Sequence, residues 1–309
     1  MSNYREVPKG QEFREGEKVP ETKVTLHFMR HEEKGRAGPD QTDLEVELTT
    51  KGREKAIAKG KEKPGKPAVA WAAGSPRIRS AHTALLQMMG ATERMTPEMS
   101  FAEAKTEAEK ELKYGEKVTA LPELNFYWEG TPEFNAEGLK EYKAGRGLEW
   151  LLKESDNLVL QLKDRDSLCY SRVAANYASL IAREMRVGNN FNQIVARDPE
   201  KYAKYGNQLE RYFGTHQSVG ECFYMKVLEK LYGRAKAGEF IESFRDDKGR
   251  ADGFDFQEGF KVEIKNGPDG QKIILEGVRG FPDIELTPEL LRDIIGDAIK
   301  LDEEIEGTK

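Results

Sequence analysis

Four histidines, His27, His31, His82 and His216, carry whatever imidazole chemistry this chain has. Two of them follow directly on apolar runs: Val24–Met29 leads into Arg30-His31, and Arg211–Thr215 leads into His216. A third run, Ala68–Ala73, is followed by Ser75-Pro76-Arg77-Ile78-Arg79. If the three runs are strands of one open α/β sheet, they share a carboxyl edge, and that edge is where such sheets form their ligand crevices. Two imidazoles and up to three guanidinium groups then converge on one place. Guanidinium forks match phosphate oxygens in pairs. A neutral imidazole can attack phosphorus while cationic neighbours offset the charge of the phosphoryl group.

The elements that must position these side chains are legible in outline. In VTLHFM, Val24, Leu26 and Phe28 fall on one face of a strand and Thr25, His27 and Met29 on the other. Leu48–Lys63 has helix-forming composition, with Thr49 or Thr50 as N-cap and Pro64, Gly65 and Pro67 as breakers. A helix through SAHTALLQMMG closes at Gly90, and residues 91–116, rich in Glu, Lys and Ala, read as an exposed helix or an insertion. Lys117–Leu124 reads as a strand, Leu139–Lys153 as a helix, and Asp166–Met185 as a helix whose Leu168, Val173, Tyr177, Leu180 and Ile181 form an apolar stripe. Val219–Tyr232 is helical. This alternation indicates an α/β three-layer sandwich, a mostly parallel sheet between helices. The C-terminal part differs: Phe260–Ile264 and Lys272–Val278 flank Asn266-Gly267-Pro268-Asp269-Gly270, a β-hairpin signal. A last helix, Thr287–Leu301, has Thr287 as N-cap and Pro288 at its first position. The expected organisation is a tail over 1–22, a main domain over 23–238, and an α+β extension over 239–309.

Composition excludes several classes. Of 309 residues, 38% are hydrophobic and 34% charged, and no apolar run is long enough for a transmembrane helix. The first eighteen residues carry charges without the apolar core of a signal peptide. Two cysteines, Cys169 and Cys222, make neither a disulfide framework nor a cysteine-rich zinc site, so the expected compartment is a reducing cytoplasm. A net charge of -6 argues against a general nucleic-acid binder, though not against a local basic pocket for a small anion.

Arg30-His31 at the end of an apolar strand resembles the Arg-His-Gly signature of the histidine phosphatase superfamily, the phosphoglycerate-mutase-like proteins. Leu48-Thr49-x-x-Gly52-x-x-x-Ala56 is similar to that family's LTxxGxxxA segment, and Ser75-Pro76-x-x-Arg79-x-x-x-Thr83-Ala84 to its SPxxRxxxTA segment. Leu121-x-Glu123-x-x-Phe126 with Trp128-Glu129-Gly130 resembles its acidic segment. Asp166-Ser167 and Arg172-Val173 fit the helix before the last core strand, and Thr215-His216 the second histidine. The matches run in family order across about 24–235. The resemblance implies His31 as the nucleophile that becomes phosphohistidine, Arg30 and Arg79 as grips on the phosphoryl oxygens, His216 as a donor to the same oxygens, and Glu123 as general acid. It implies no metal and no cofactor. The substrate would be a phosphorylated small molecule or a phosphoprotein.

The chain departs from the pattern at several places. Glu32 stands where a glycine is expected, Ala37 where an asparagine is, and Gln217-Ser218 where two glycines are. Tyr127 stands near another expected glycine, in an acidic segment one residue short. Glu32 must turn out of the pocket or pair with a cation, for which Arg77 and Lys34 are the nearest candidates in the motif. The leading expectation is a phosphomonoester hydrolase. A phosphomutase, and a non-catalytic phospho-ligand binder with its C-terminal hairpin as interaction surface, are the alternatives. His27, His82 and the cysteines are expected to be structural, and Arg77 to have a surface or accessory role.

Overall fold

The computed structural model describes residues 19–62, 69–111, 118–125, 130–203 and 206–307. Phe126, Tyr127, Trp128 and Glu129 of the acidic segment lie outside the described residues. In chain order the elements are β1 Thr22–Arg30, α1 Thr50–Lys61, β2 Ala70–Gly74, α2 Ile78–Met89, α3 Phe101–Glu111, β3 Val118–Ala120, α4 Pro132–Lys143, α5 Gly147–Trp150, α6 Asp156–Leu162, α7 Tyr170–Arg197, α8 Pro199–Ala203, β4 Gln208–Thr215, α9 Val219–Tyr232, α10 Arg234–Glu242, β5 Gly259–Gly267, β6 Gly270–Leu275, β7 Ile284–Glu285 and α11 Pro288–Gly307. They build one seven-stranded sheet in the order β3-β2-β4-β1-β5-β6-β7. The sheet is parallel through β3-β2-β4-β1 and antiparallel beyond. The expected hairpin continues this sheet: β5 lies against the open side of β1, with Phe28 opposite Phe260.

Strand alternation sends side chains into two cores. Val24, Leu26 and Phe28 pack with Tyr177, Ile181, Phe223 and Leu291 on one face. Met29, Ala70 and Ala72 pack with Ile57, Leu85 and Ala104 on the other. Helices thus cover both faces, as the α/β reading requires.

Two glycines set how closely α2 approaches the sheet. A Cβ on Gly74 would lie 2.2 Å from the Ala81 nitrogen, and one on Gly214 would lie 1.8 Å from the Ser80 carbonyl oxygen. Any other residue at either position would push the helix off the sheet.

The caps behave as the sequence indicates. Thr49 caps α1 by accepting from the Gly52 amide at 2.9 Å, and Thr287 caps α11 by accepting from the Leu290 amide at 3.1 Å. Four elements differ from expectation. The strand expected over Lys117–Leu124 pairs only over Val118–Ala120, after which Pro122 opens a short turn through Leu124. The single helix expected over 139–153 breaks, because Gly145 sits at φ +73° and hands its carbonyl to the Ala251 amide. The stripe of α7 runs on through Phe191 and Val195 until Asp198 meets Pro199, where the residue before proline leaves the helical region. Residues 101–111 are not an all-round exposed helix. Ala104 and Ala108, four apart, are fully buried in the core that α2 lines.

His82 lies on that same face, fully buried in α2 with its ring 5.6 Å from that of Phe101. Neither ring nitrogen has a hydrogen-bond partner among the described residues. Burial, and next the Arg53 charge, push its pKa from 6.5 down to about 3. Its folded pKa lies below the unfolded value, so His82 subtracts stability as pH falls from about 6.5 towards 3. His82→Leu should raise the melting temperature at pH 7, by about 1 kcal/mol of relieved polar burial. It should also lessen the loss of melting temperature between pH 7 and pH 5. Thermal melts at the two pH values measure both effects, and an unchanged pH dependence would show that His82 does not titrate in this window.

Candidate functional site

The register of the parallel strands brings the chemistry together. Arg30 lies opposite Thr215, and Gly74 opposite Gly214, so β1, β4 and β2 end level. The next residue on each is His31, His216 and Ser75. The His31 amide donates to the Thr215 carbonyl at 2.9 Å, which fixes the row. The first turn of α2, seated on the two glycines, adds Arg77 and Arg79 from beside the edge.

His31 is buried, with its ring 5.0 Å from that of His216 in a T-shaped contact. Its Nδ1 is 2.6 Å from the Glu32 carbonyl oxygen. A carbonyl can only accept, so Nδ1 carries the proton. On the other side, Arg79 Nε donates towards His31 Nε2 at 3.3 Å, so Nε2 presents its lone pair. Burial pushes the pKa of His31 down to about 3, helped by the Arg79, Arg30 and Lys34 charges and opposed by the Glu32 carbonyl. The ring is therefore neutral at physiological pH.

His216 is anchored through a relay of hydroxyls. Ser80 Oγ donates to the Arg77 carbonyl at 2.8 Å, which uses its proton. Ser75 Oγ, 2.9 Å from Ser80 Oγ, then donates to it. His216 Nε2, 2.7 Å from Ser75 Oγ, is left to donate. Burial, with His31 and the nearby cations, holds His216 well below its ordinary pKa. The two imidazoles thus carry their protons on opposite nitrogens.

The remaining residues sort by contact. Arg79 also donates from Nη1 to the Asp43 carbonyl at 2.8 Å and from Nη2 to Asp43 Oδ2 at 2.9 Å. Arg77 Nε bonds Asp43 Oδ2 at 2.8 Å, and Arg77 Nη1 bonds Asn125 Oδ1. Lys34 Nζ bonds Asp43 Oδ1 at 2.9 Å. Arg77 is thus buried in this cluster, where a surface or accessory role was expected. Arg30 turns its guanidinium towards the C-terminal segment, donating to the Phe254 carbonyl at 2.5 Å and lying 4.6 Å over the Phe256 ring. Glu123 is half-buried on a short turn, Pro122–Leu124, two residues before Asn125. The contacts that join His31, Arg79, Arg77, Asp43 and His216 do not include it.

Glu32 is buried, and its carboxylate turns away from this row. Oε1 accepts from Gln257 Nε2 at 2.7 Å, Oε2 accepts from the Glu33 amide at 2.8 Å, and Lys55 Nζ is 3.9 Å away. Arg77 and Lys34, the expected partners, are engaged by Asp43 instead. His27 stacks on Tyr212 at 4.6 Å and lies 3.5 Å from Glu210, within the sheet. Sequence reasoning missed Asp43, Asn125, Phe256 and Gln257, which come from polar loops with no periodic signal. Ser75 was visible as the serine of the SPxxR run. Among the described residues, no three His, Cys, Asp or Glu side chains gather to hold a metal ion, and no helix is long and apolar enough to cross a membrane.

No family model matches the sequence, and no curated protein matches it either. Among solved structures, the native structure of a mycobacterial glucosyl-3-phosphoglycerate phosphatase is similar at 13% identity, over 83% of this chain and 98% of that one, with a TM-score of 0.40. A protein described as mycobacterial hydrolase 1 is similar at 14% identity, over 85% and 100%, with a TM-score of 0.40. The putative phosphohistidine phosphatase SixA from Agrobacterium tumefaciens is similar at 10% identity, over 81% and 96%, with a TM-score of 0.28.

The opposite tautomers are directly measurable. Two-bond ¹⁵N–¹H correlation spectra at pH 7 should show His31 neutral with its proton on Nδ1 and His216 neutral with its proton on Nε2, and His31 still neutral at pH 5. Ser75→Ala removes the acceptor that fixes His216 and should leave that ring a mixture of tautomers. A cationic His31 at pH 6 would contradict the burial and charge balance described above.

Proposed function

We propose that this protein hydrolyses phosphomonoesters through a phosphohistidine formed on His31 Nε2. The observation that carries the reading is the clamp on that ring. The Glu32 carbonyl binds the proton on Nδ1, and Nε2 keeps its lone pair beside the guanidinium of Arg79 and the edge of His216. A nucleophile must be deprotonated, oriented and close to positive charge that receives the phosphoryl oxygens, and His31 meets each condition.

In the first step the Nε2 lone pair forms the N–P bond as the P–O bond to the leaving group breaks. Arg79 takes the charge that builds on the non-bridging oxygens, with Arg30 and Lys34 adding positive potential, and His216 joins it by turning its Nε2–H from Ser75 Oγ to a phosphoryl oxygen. Glu123, on the rim beside Asn125, gives its proton to the leaving oxygen. In the second step the same carboxylate takes a proton from water, the water oxygen bonds phosphorus, and the N–P bond breaks. The positive charge is supplied by side chains, so the reading requires no metal, and turnover should persist in EDTA. A small apolar cavity lined by Phe134, Tyr142, Trp150, Leu168 and Val219 adjoins Asn125 and Ser218. It suits a leaving group with an apolar part.

Rapid acid-free quenching during turnover should trap an acid-labile, base-stable phosphoryl adduct on His31, and His31→Ala should lose both adduct and turnover. Wild-type-like turnover in His31→Ala would end the phosphohistidine reading. Glu123→Gln should slow an alkyl phosphate by on the order of 10²–10⁴ and an activated aryl phosphate far less, since proton donation matters most for a poor leaving group. Equal losses on the two substrates would assign the proton to another group.

A further inference from the structure

Asp43 occupies the place where the proposed reaction needs an anion. It sits on the loop between Lys34 and Leu48, which the backbone bridge of those two residues closes at its base. Residues 36–45 of that loop are exposed. Its carboxylate receives three cations at once: Arg79 Nη2 at 2.9 Å, Arg77 Nε at 2.8 Å and Lys34 Nζ at 2.9 Å. With Nη1 on the Asp43 carbonyl and Nε directed to His31 Nε2, all three nitrogens of the Arg79 fork are engaged. A phosphoryl group in line with His31 Nε2 requires that same fork, which Asp43 now fills.

We propose that the Asp43 carboxylate is an internal occupant of the phosphoryl site, which an incoming phosphate displaces and which returns when product leaves. The proposal rests on the phosphatase reading of the site. Three features make the exchange easy. The Asp43 side chain is nearly half exposed, so water is ready to take the released carboxylate. The loop keeps its shape through its own bonds, Gln41 Oε1 accepting from the Gly38 amide and Glu45 Oε2 from the Thr42 amide and hydroxyl. It is also pinned to α2 by its backbone, the Leu44 carbonyl accepting from the Ile78 amide at 2.9 Å. The carboxylate can therefore leave by side-chain rotation while the loop stays docked. While in place, it neutralises guanidinium charge that would otherwise face two neutral, buried imidazoles. Partial burial pushes its pKa up, but the bonds from Lys34, Arg79 and Arg77 outweigh this and hold it well below the usual carboxylate range. It is thus an anion at every working pH, as an occupant of a phosphate site must be.

Because the competition acts before chemistry, it should raise the apparent dissociation constant of any ligand that uses the fork. The test is calorimetric titration of the full chain with inorganic phosphate. Asp43→Asn, which keeps shape and loses charge, should bind phosphate about tenfold more tightly than the wild type, within the usual range of coupling between competing sites. The KM for a generic aryl phosphate should fall with it. Should Asp43→Asn fail to fold, Asp43→Ser is read the same way. Equal or weaker binding by the variant overturns the exchange while leaving the phosphatase reading in place, since Asp43 would then be a positioning residue that holds the arginines ready. Binding of phosphate by neither protein overturns both readings.

Discussion

The site depends on how closely one helix lies on the sheet. With hydrogen as the only side chain at Gly74 and Gly214, the Ser80-Ala81 backbone of α2 rests directly on the strand ends. That contact carries Arg77 and Arg79 to the carboxyl edge and places Ser75 and Ser80 within 2.9 Å of each other. The serines then tie the backbone of α2 to the ring of His216. A methyl group at either glycine would lift the guanidinium groups and the hydroxyl relay away from the histidines together. Closeness of packing, more than any single polar contact, is what aligns the cluster.

The electrostatics follow from that alignment. Two buried imidazoles lie among Arg30, Lys34, Arg77 and Arg79, and burial together with those charges keeps both rings neutral. A protein with a net charge of -6 thus concentrates cations at one edge of its sheet. The carboxylates of Glu32 and Asp43 have opposite relations to that edge. Glu32 is fixed outward by Gln257, the Glu33 amide and Lys55, with little exposure. Asp43 faces inward on exposed backbone, among the cations. The anion that directly follows His31 in the sequence is the one turned away from the cluster, and the one twelve residues after His31 is the one that faces it.

That inversion shows what the sequence could reveal. Strand ends, caps and the helix after the serine-proline run are local, set by alternation, by Thr49 and Thr287, and by breakers, so they were legible. His31 and His216 were legible because they stand at strand ends, and Arg79 because it stands in the first turn of the helix after the serine-proline run. Asp43, Asn125 and Gln257 act from irregular loops, and apart from Lys34, nine residues before Asp43, their side-chain partners lie 34 or more residues away in the chain: Arg77 is 34 residues from Asp43, and Glu32 is 225 from Gln257. No spacing rule reaches such pairs. The break at Gly145 was hidden for a related reason, since its cause is the distant Ala251 amide.

The C-terminal segment is also tied to the edge. Glu221, in the first turn of α9, is fully buried and accepts from the Phe254 amide at 2.7 Å, while the Phe254 carbonyl accepts from Arg30 at 2.5 Å. One residue, Phe254, thus joins a buried carboxyl to Arg30, which precedes His31. Burial raises the Glu221 pKa to about 7, against the pull of the Phe254 amide. Its folded pKa exceeds the unfolded value, so it favours the folded state most at low pH and loses that contribution as pH rises through 7. The histidines act in the opposite sense, losing stability as pH falls below 6.5. Three histidines, His31, His82 and His216, oppose one glutamate between those limits, so acid should weaken the fold on balance. The burial that keeps His31 neutral is therefore also what makes the folded state sensitive to acid, and that sensitivity is inseparable from the packing of the cluster.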